Sequence, residues 1–291
     1  MPELDSQSAP GDRHPGRSVL MVCSNFPPRN AAGVFRSLRF ARYLPHCGWN
    51  VHVVTVDPKF YEQGVRLDDC LLEKLPPEVR IHGTRAYYPI DWVTSIKRKI
   101  LPGAKPHRRS DGLFTVLQEE TGQWKHSRLW QRLKDAVTDR MTTPDRHVGW
   151  IRNAVKQGSR VIQDNTIDAI YSSGPPFSNH VVGARLKRST GLPWVADCRD
   201  PWVDADFRPH YRNQSWVGRQ HQRMEREMIE SADSIISNTE RARQKLVARY
   251  GEIATRKSIV IPNGFDAADY QGIDLSDTGR TSKKFVIAHA G

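Results

Sequence analysis

No run of apolar residues in this chain approaches the ~18–20 that span a bilayer as a helix, which argues against a helical membrane span among them. Cysteine is scarce. Cys23, Cys47, Cys70 and Cys198 lie far apart with no Cys-x-x-Cys pair, so no zinc ribbon or disulfide framework is expected and the plain reading is buried free thiols. The His-Glu-x-x-His zinc motif, the Gly-x-x-x-x-Gly-Lys-Ser/Thr phosphate loop and the Gly-x-Gly-x-x-Gly dinucleotide fingerprint are all absent. No repeat of fixed period occurs. Residues 1–17 lack the apolar core of a signal peptide and are rich in Pro, Ser and Gly; they read as a disordered leader in a cytoplasmic protein.

What is present is enough for a globular core. The 291 residues are 38% hydrophobic and 26% charged, and at roughly 150 residues per domain the length suggests about two domains. The formal net charge of +12 suits an anionic partner: nucleic acid, a phospholipid surface or a phosphorylated substrate.

Val19 to Cys23 is a short apolar run, the pattern of a strand buried on both faces. A loop follows to Gly33, then a helix from about Val34 with Leu38, Ala41 and Leu44 on one face and Arg36, Arg39 and Arg42 largely off it. Val51 to Val56 is the next strand, rich in β-branched residues. Strand, Gly-containing loop, helix, strand is the βαβ pattern of a parallel sheet. The pattern returns from Asp168, with strands at 168–173, 194–197, 234–237 and 258–261 and helices at about 178–189, 216–231 and 239–250. Residues 267–284 are polar, as a linker is, and 285–291 read as one more strand. The expectation is an α/β fold, a Rossmann-like parallel sheet with helices on both faces.

The middle differs. From Arg85 to Arg160 there are 16 Lys or Arg against 7 Asp or Glu, a net of +9, so three-quarters of the excess charge sits in this stretch. Trp92, Ile96, Trp124 and Trp130 are interleaved with the basic residues. A solvated helical face is one reading. The other is an interfacial patch, with basic side chains on anionic head groups and apolar ones dipping between them. No nucleic-acid motif accompanies the charge, so nucleic acid ranks last.

Three strand-to-helix loops carry the chemistry-bearing residues. In a doubly wound sheet such loops lie at the carboxyl edge, where ligands bind. The first, Asn25 to Gly33, offers backbone N–H groups and a helix N-terminus to an anion, with Gly33 allowing close approach; a plain βα turn is the alternative. The second, Ser172 to His180, has a stiff Gly174-Pro175-Pro176 path, a capping Ser178, and Ser173 and His180 able to hydrogen-bond a polyol. It lacks the Gly-x-Ser-x-Gly elbow of a Ser-His nucleophile, and for His180 packing is as good a reading as catalysis. The third, Asp197-Cys198-Arg199-Asp200-Pro201-Trp202, gathers two carboxylates, a guanidinium and an indole. Carboxylates bind sugar hydroxyls or take protons, and indole stacks on a sugar face; an Arg199–carboxylate pair that stiffens the loop is the competing reading.

Together these stretches resemble the N-terminal half of GT-B glycosyltransferases, in particular glycosyltransferase family 4. The resemblance rests on Pro27-Pro28 with Gly33 and Arg36, Tyr43-Leu44-Pro45, Gly48-Trp49, Ser173-Gly174-Pro175-Pro176 with Ser178 and His180, and Gly191-Leu192-Pro193-Trp194. It continues through Asp197 with Arg199-Asp200-Pro201-Trp202, Ala232-Asp233, Tyr250-Gly251 and Ile261-Pro262-Asn263-Gly264-Phe265-Asp266. It covers 18–266 except the basic middle.

The resemblance implies two Rossmann-like domains facing across a cleft, the first holding the acceptor and the second the nucleotide-sugar. It implies transfer that retains anomeric configuration without a bound metal. It assigns Ala32, Gly33 and Arg36 to the donor diphosphate loop. It assigns Ser173, Gly174, Ser178, Asp197, Arg199 and Trp202 to the acceptor, and His180 and Asp200 to catalysis. Asp204-Ala205-Asp206 matches the Asp-x-Asp of metal-dependent glycosyltransferases, but no strand immediately precedes it and no metal is assigned. Two features depart from the family: Asn30, Ala31 and Ala32 stand where glycines are common, and no glutamate has another eight positions on, as the second domain's pair requires. The expected organisation is a leader (1–17), an acceptor-side domain (18–266) with a basic insertion at about 85–147, a linker (267–284) and the first strand (285–291) of a missing donor domain. Alone, such a chain is expected to be catalytically incomplete. The expected partners are a nucleotide-sugar, a cell-surface polysaccharide or lipid-linked glycan and an anionic membrane surface, with the protein peripheral at the membrane's inner face. The alternative is a non-catalytic glycan- or lipid-binding module that docks a separate donor domain.

Overall fold

A computed structural model describes residues 16–62, 64–89, 138–205 and 209–270. Nearly all of the leader, residues 90–137 of the basic middle, the linker beyond 270 and the closing strand at 285–291 lie outside the described residues.

Seven strands form one sheet: β1 (Arg17–Val22), β2 (Trp49–Val56), β3 (Arg80–Thr84), β4 (Ala169–Gly174), β5 (Trp194–Cys198), β6 (Ser234–Ser237) and β7 (Ser258–Val260). Their order is β3-β2-β1-β4-β5-β6-β7, and every neighbouring pair is parallel. The helices are α1 (Val34–Tyr43), the one-turn α2 (Cys70–Glu73), α3 (Ile151–Asp164), α4 (Ser178–Thr190), α5 (Trp216–Ser231), α6 (Glu240–Tyr250) and α7 (Glu252–Lys257). Six strands fall within two residues of the positions expected from β-branched runs, and α5 begins and ends where expected. Its start is fixed by Ser215, whose hydroxyl accepts from the Gly218 N–H at 3.1 Å.

Strand residues alternate between two cores, as a period of two requires. Leu20, Val22, Val54, Val56, Ile170 and Ala196 pack with apolar residues of α3, α4 and α5. Val19, Met21, Val51, Val53 and Tyr171 face the other way, against Ala41 of α1. Apolar residues on both faces are what a parallel sheet between helix layers needs. The thiols are split: Cys23 and Cys198 are buried as expected, whereas Cys47 and Cys70 are exposed, because both sit where helical turns begin or end at the surface. Among the described residues no helix is long and apolar enough to cross a membrane.

The strand order places a topological switch between β1 and β4. From β1 the chain steps outward to β2 and β3, and from β4 it steps the other way to β7. At such a point the loops leaving adjacent strands diverge and open a crevice at the carboxyl edge. Here those are the loop from Cys23 to Gly33 and the loop from Pro175 to Phe177.

Candidate functional site

A cleft of about 540 Å³ lies at that edge. The first loop and α1 supply Asn25, Ala32, Gly33, Phe35, Arg36 and Arg39; the second loop supplies Pro175 and Pro176; the loop after β5 supplies Arg199 and Asp200; Asn263 follows β7.

Arg36 is fully engaged within the protein. Its Nε and Nη2 donate to the two Asp197 carboxylate oxygens at 2.8 and 3.0 Å. Its remaining N–H groups go to the carbonyls of Ile261 at 2.9 Å and Pro262 at 3.1 Å and to Asn263 Oδ1 at 3.1 Å. All five guanidinium donors are therefore satisfied, and none is left for a bound phosphate. Burial opposes the charge on Arg36, but the Asp197 hydrogen bond and charge more than offset it, so the guanidinium pKa is raised. Asp197 is fully buried and also accepts from the Tyr171 hydroxyl at 2.5 Å and Ser173 Oγ at 3.4 Å. Burial and the Asp197 charge drive the Tyr171 hydroxyl pKa far up, so it stays a donor.

Gly33 is the N-cap of α1, with helical φ of −68°, no side chain to cap the first turn and no acidic residue there. The Arg199 guanidinium lies directly over it. A Cβ at position 33 would stand 2.7 Å from Arg199 Nη1. Arg199 Nη2 donates to the Pro175 carbonyl, and Arg199 Nε is buried with no hydrogen-bond partner. Asn25 Oδ1 is also unpartnered. No side chain caps the α1 N-terminus, where the Val34 N–H turns back to the Ala31 carbonyl at 2.8 Å, and its positive dipole end lies beside a cation. The N-terminus of α4 is closed by contrast: Asp145 accepts from the Ser178 N–H at 2.7 Å and from Ser178 Oγ at 2.8 Å.

Of the residues expected at the site, Ala32, Gly33, Arg36, Arg199 and Asp200 line the cleft; the others do not. His180 is 1% exposed and lies beneath Gly174, where a Cβ would come within 2.5 Å of its Nε2. Its Nδ1 pairs with Ser172 Oγ at 2.8 Å, and that hydroxyl accepts from Trp194 Nε1 at 2.9 Å. Burial, with Arg199 nearby, pushes the His180 pKa down to about 3. The ring is held in the core and does not line the cleft. Ser178 and Ser173 serve the hydrogen bonds already given. Trp202 is 2% exposed, stacked on Phe177 at 4.5 Å and donating to His221 Nδ1 at 2.9 Å, so its face is closed to a sugar. The Asp204 carboxylate is held by Arg249, and among the described residues no group of three or more His, Cys, Asp or Glu is gathered as for a metal.

A model of the glycosyl transferase 4-like domain matches residues 33–264. The chain belongs to this family. No curated protein sequence matches it at a significant level. Solved structures similar to it include sucrose-phosphate synthase from Thermosynechococcus elongatus, 12% identical with a TM-score of 0.47, the alignment covering 87% of this chain and 49% of that one. Anabaena HepE in complex with UDP-glucose is 12% identical with a TM-score of 0.44, covering 87% and 45%. The glycosyltransferase SnogD from Streptomyces nogalater is 12% identical with a TM-score of 0.37, covering 90% and 55%. The chain spans about half the length of these proteins.

In this glycosyl transferase 4-like domain, Asn25, Phe35, Arg39, Pro175, Pro176 and Asn263 join the cleft without having been marked as site residues from sequence. Arg39 was within reach of sequence reading, since it follows Arg36 by three positions on one helical face. Asn263 was not, because nothing local says that the turn after β7 folds back onto α1.

Proposed function

We propose that this chain is the acceptor-side half of a retaining glycosyltransferase. It moves a sugar from a nucleotide-sugar to a cell-surface polysaccharide or lipid-linked glycan. The observation that carries the reading is the uncapped N-terminus of α1 at Gly33 under the Arg199 guanidinium, whose Nε lacks a partner. That combination suits a diphosphate, whose oxygens accept charge-assisted hydrogen bonds from helix N–H groups and a guanidinium. In the reaction the bond from the anomeric carbon to the diphosphate oxygen breaks, a bond to the acceptor oxygen forms, and the acceptor hydroxyl passes its proton to the departing diphosphate. Arg199 and the α1 dipole stabilise charge on the departing diphosphate. Asp200 is the one cleft carboxylate with no hydrogen-bond or ion-pair partner among the described residues, and it orients the acceptor hydroxyl. The nucleoside and the sugar are held by a donor-side domain facing this edge, and no metal takes part.

The test is calorimetric titration of the 291-residue protein with UDP and with inorganic pyrophosphate. Saturable binding of both, lost in Arg199→Gln, supports the reading. Absence of binding by the folded wild type refutes the diphosphate site. Membrane association is a second part of the proposal, and the exposed Arg152, Lys156 and Arg160, each four residues apart along α3, support it.

A further inference from the structure

After β7 the chain leaves the sheet and runs without regular structure from Ile261 to Asp266, with Pro262, Asn263, Gly264 and Phe265 exposed. Its last tie to the sheet is the Ile261 N–H, which donates to the Ser237 carbonyl of β6 at 3.0 Å; beyond that it has no ladder to hold it and few apolar side chains to bury. It is nonetheless fixed along the face of α1 by three arginines spaced three residues apart. Arg36 holds the Ile261 and Pro262 carbonyls and Asn263 Oδ1. Arg39 Nη1 donates to the Gly264 carbonyl at 2.5 Å, and its Nη2 lies 3.9 Å from an Asp269 carboxylate oxygen. Arg42 donates to Asp266 Oδ2 at 2.8 Å, while the Tyr43 hydroxyl donates to Asp266 Oδ1 at 2.7 Å. Lys74, beyond α2, closes the row on Asp269 at 2.5 Å.

The three arginines are not equivalent. Arg36 is 8% exposed and anchored by the buried Asp197 carboxylate, so it does not move without breaking that pair. Arg42 faces Asp266 and is not a cleft residue. Arg39 is 30% exposed, lines the cleft, and holds the strap chiefly through one neutral carbonyl. The Arg39 bond to the Gly264 carbonyl pairs a cation with a neutral oxygen, whereas a phosphate oxygen adds full charge–charge attraction to the same guanidinium. An anion in the cleft therefore competes on favourable terms for Arg39.

We propose that Arg39 is shared between the Ile261–Asp266 strap and an anion bound in the cleft, so that filling the cleft releases Gly264 and loosens the strap, while Arg42 keeps its far end tied. This rests on the reading of the cleft as a diphosphate site. A ligand can shift such an equilibrium only through its different affinity for the two arrangements, and Arg39 supplies that difference. The strap would thus report cleft occupancy to whatever follows residue 270.

Amide hydrogen exchange of peptides covering 261–270, in the full chain with and without saturating inorganic pyrophosphate, tests this. Without ligand, Arg42→Gln and Arg39→Gln should each speed exchange there by about threefold, the effect of losing one partly exposed polar contact. Unchanged exchange in both variants would sink the strap. Pyrophosphate should speed exchange at 264–266 in wild type and in Arg42→Gln but add nothing in Arg39→Gln. If pyrophosphate binds wild type by calorimetry yet leaves exchange unchanged or slows it, the sharing of Arg39 is wrong and the diphosphate site stands. If pyrophosphate does not bind at all, both fall.

Discussion

The Arg199 guanidinium sits over Gly33 so closely that a methyl group at position 33 would stand 2.7 Å from Nη1 and 2.9 Å from Nη2. Gly33 has an ordinary helical φ of −68°, so alanine fits its backbone. The atoms in the way belong to the far end of a flexible side chain, which can swing aside. Gly33→Ala should therefore leave the fold intact while displacing Arg199 from the α1 N-terminus. Losing one charge-assisted contact predicts about a tenfold fall in pyrophosphate affinity, with Tm within a few degrees of wild type. Calorimetry and a thermal melt on the same preparation check both halves.

The Arg36–Asp197 pair is a different kind of contact, since both partners are buried and bidentate. Removing one partner strands a charge in the core, which typically costs about 3–5 kcal/mol. Arg36→Ala should lower the urea midpoint accordingly. Arg36→Lys should recover little, because an ammonium cannot reproduce the planar fork that serves Asp197 and the strap carbonyls together. A lysine variant as stable as wild type would show that charge alone matters there.

Much of this could be read from sequence, for identifiable reasons. Strands buried along most of their length announce themselves as apolar runs, so β1, β2 and β4 to β6 were legible; β7, at the other edge and with Ile259 exposed, was marked by its Ile259-Val260-Ile261 run. β3 was not, because Arg80-Ile81-His82-Gly83-Thr84 is an edge strand whose side chains are mostly exposed or half-buried. α3 was obscured by the basic charge around it, although Ile151, Ala154, Gly158 and Val161 keep helical spacing and form its buried face. At the site, the three loops were correctly placed at one edge, but residue type could not tell an inward side chain from an outward one. His180 and Trp202 have the right chemistry for a sugar site and point into the core. Arg36 has the right chemistry for a phosphate, and its donors are taken by Asp197 and by a segment 225 residues further on.

Buried histidines shape the acid limb of stability, and His52 and His82, both lowered by burial, add to it with the same sign. The His180 pKa is pushed down to about 3 by burial and then by Arg199; that of His147 is pushed to about 4 by burial, against the pull of Asp145. Unfolded, both titrate near 6.5. Between those values the unfolded chain binds protons that the folded chain refuses, so stability is full above 6.5 and is lost as pH falls toward the folded pKa values. One unit below 6.5, each such histidine costs about 1.4 kcal/mol. Glu62 adds the same sign lower down: it titrates near 2 when folded, because Arg29 and Arg146 outweigh its burial, so its contribution is lost below about 4.5. Glu225, raised by burial, works the opposite way. Urea midpoints should hold from pH 7.5 to about 6.5 and then fall toward pH 5, and His180→Gln should flatten that slope. A parallel slope in the variant would show that His180 is not the group titrating.

The membrane part of the proposal makes a separable prediction. Arg152, Lys156 and Arg160 are exposed along α3, which packs on the sheet through its opposite face, so replacing them does not disturb the core. Each basic residue near an anionic bilayer contributes about 1 kcal/mol, so the triple glutamine variant should lose about a hundredfold in partitioning to phosphatidylserine-containing vesicles. Wild-type binding should weaken as salt rises from 0.05 to about 0.3 M, because screening shortens the reach of exposed charges. Pyrophosphate binding should be the same in the triple variant and wild type, since none of the three residues lines the cleft. If the triple variant sediments with anionic vesicles as well as wild type, α3 is a solvated face and any membrane contact lies elsewhere.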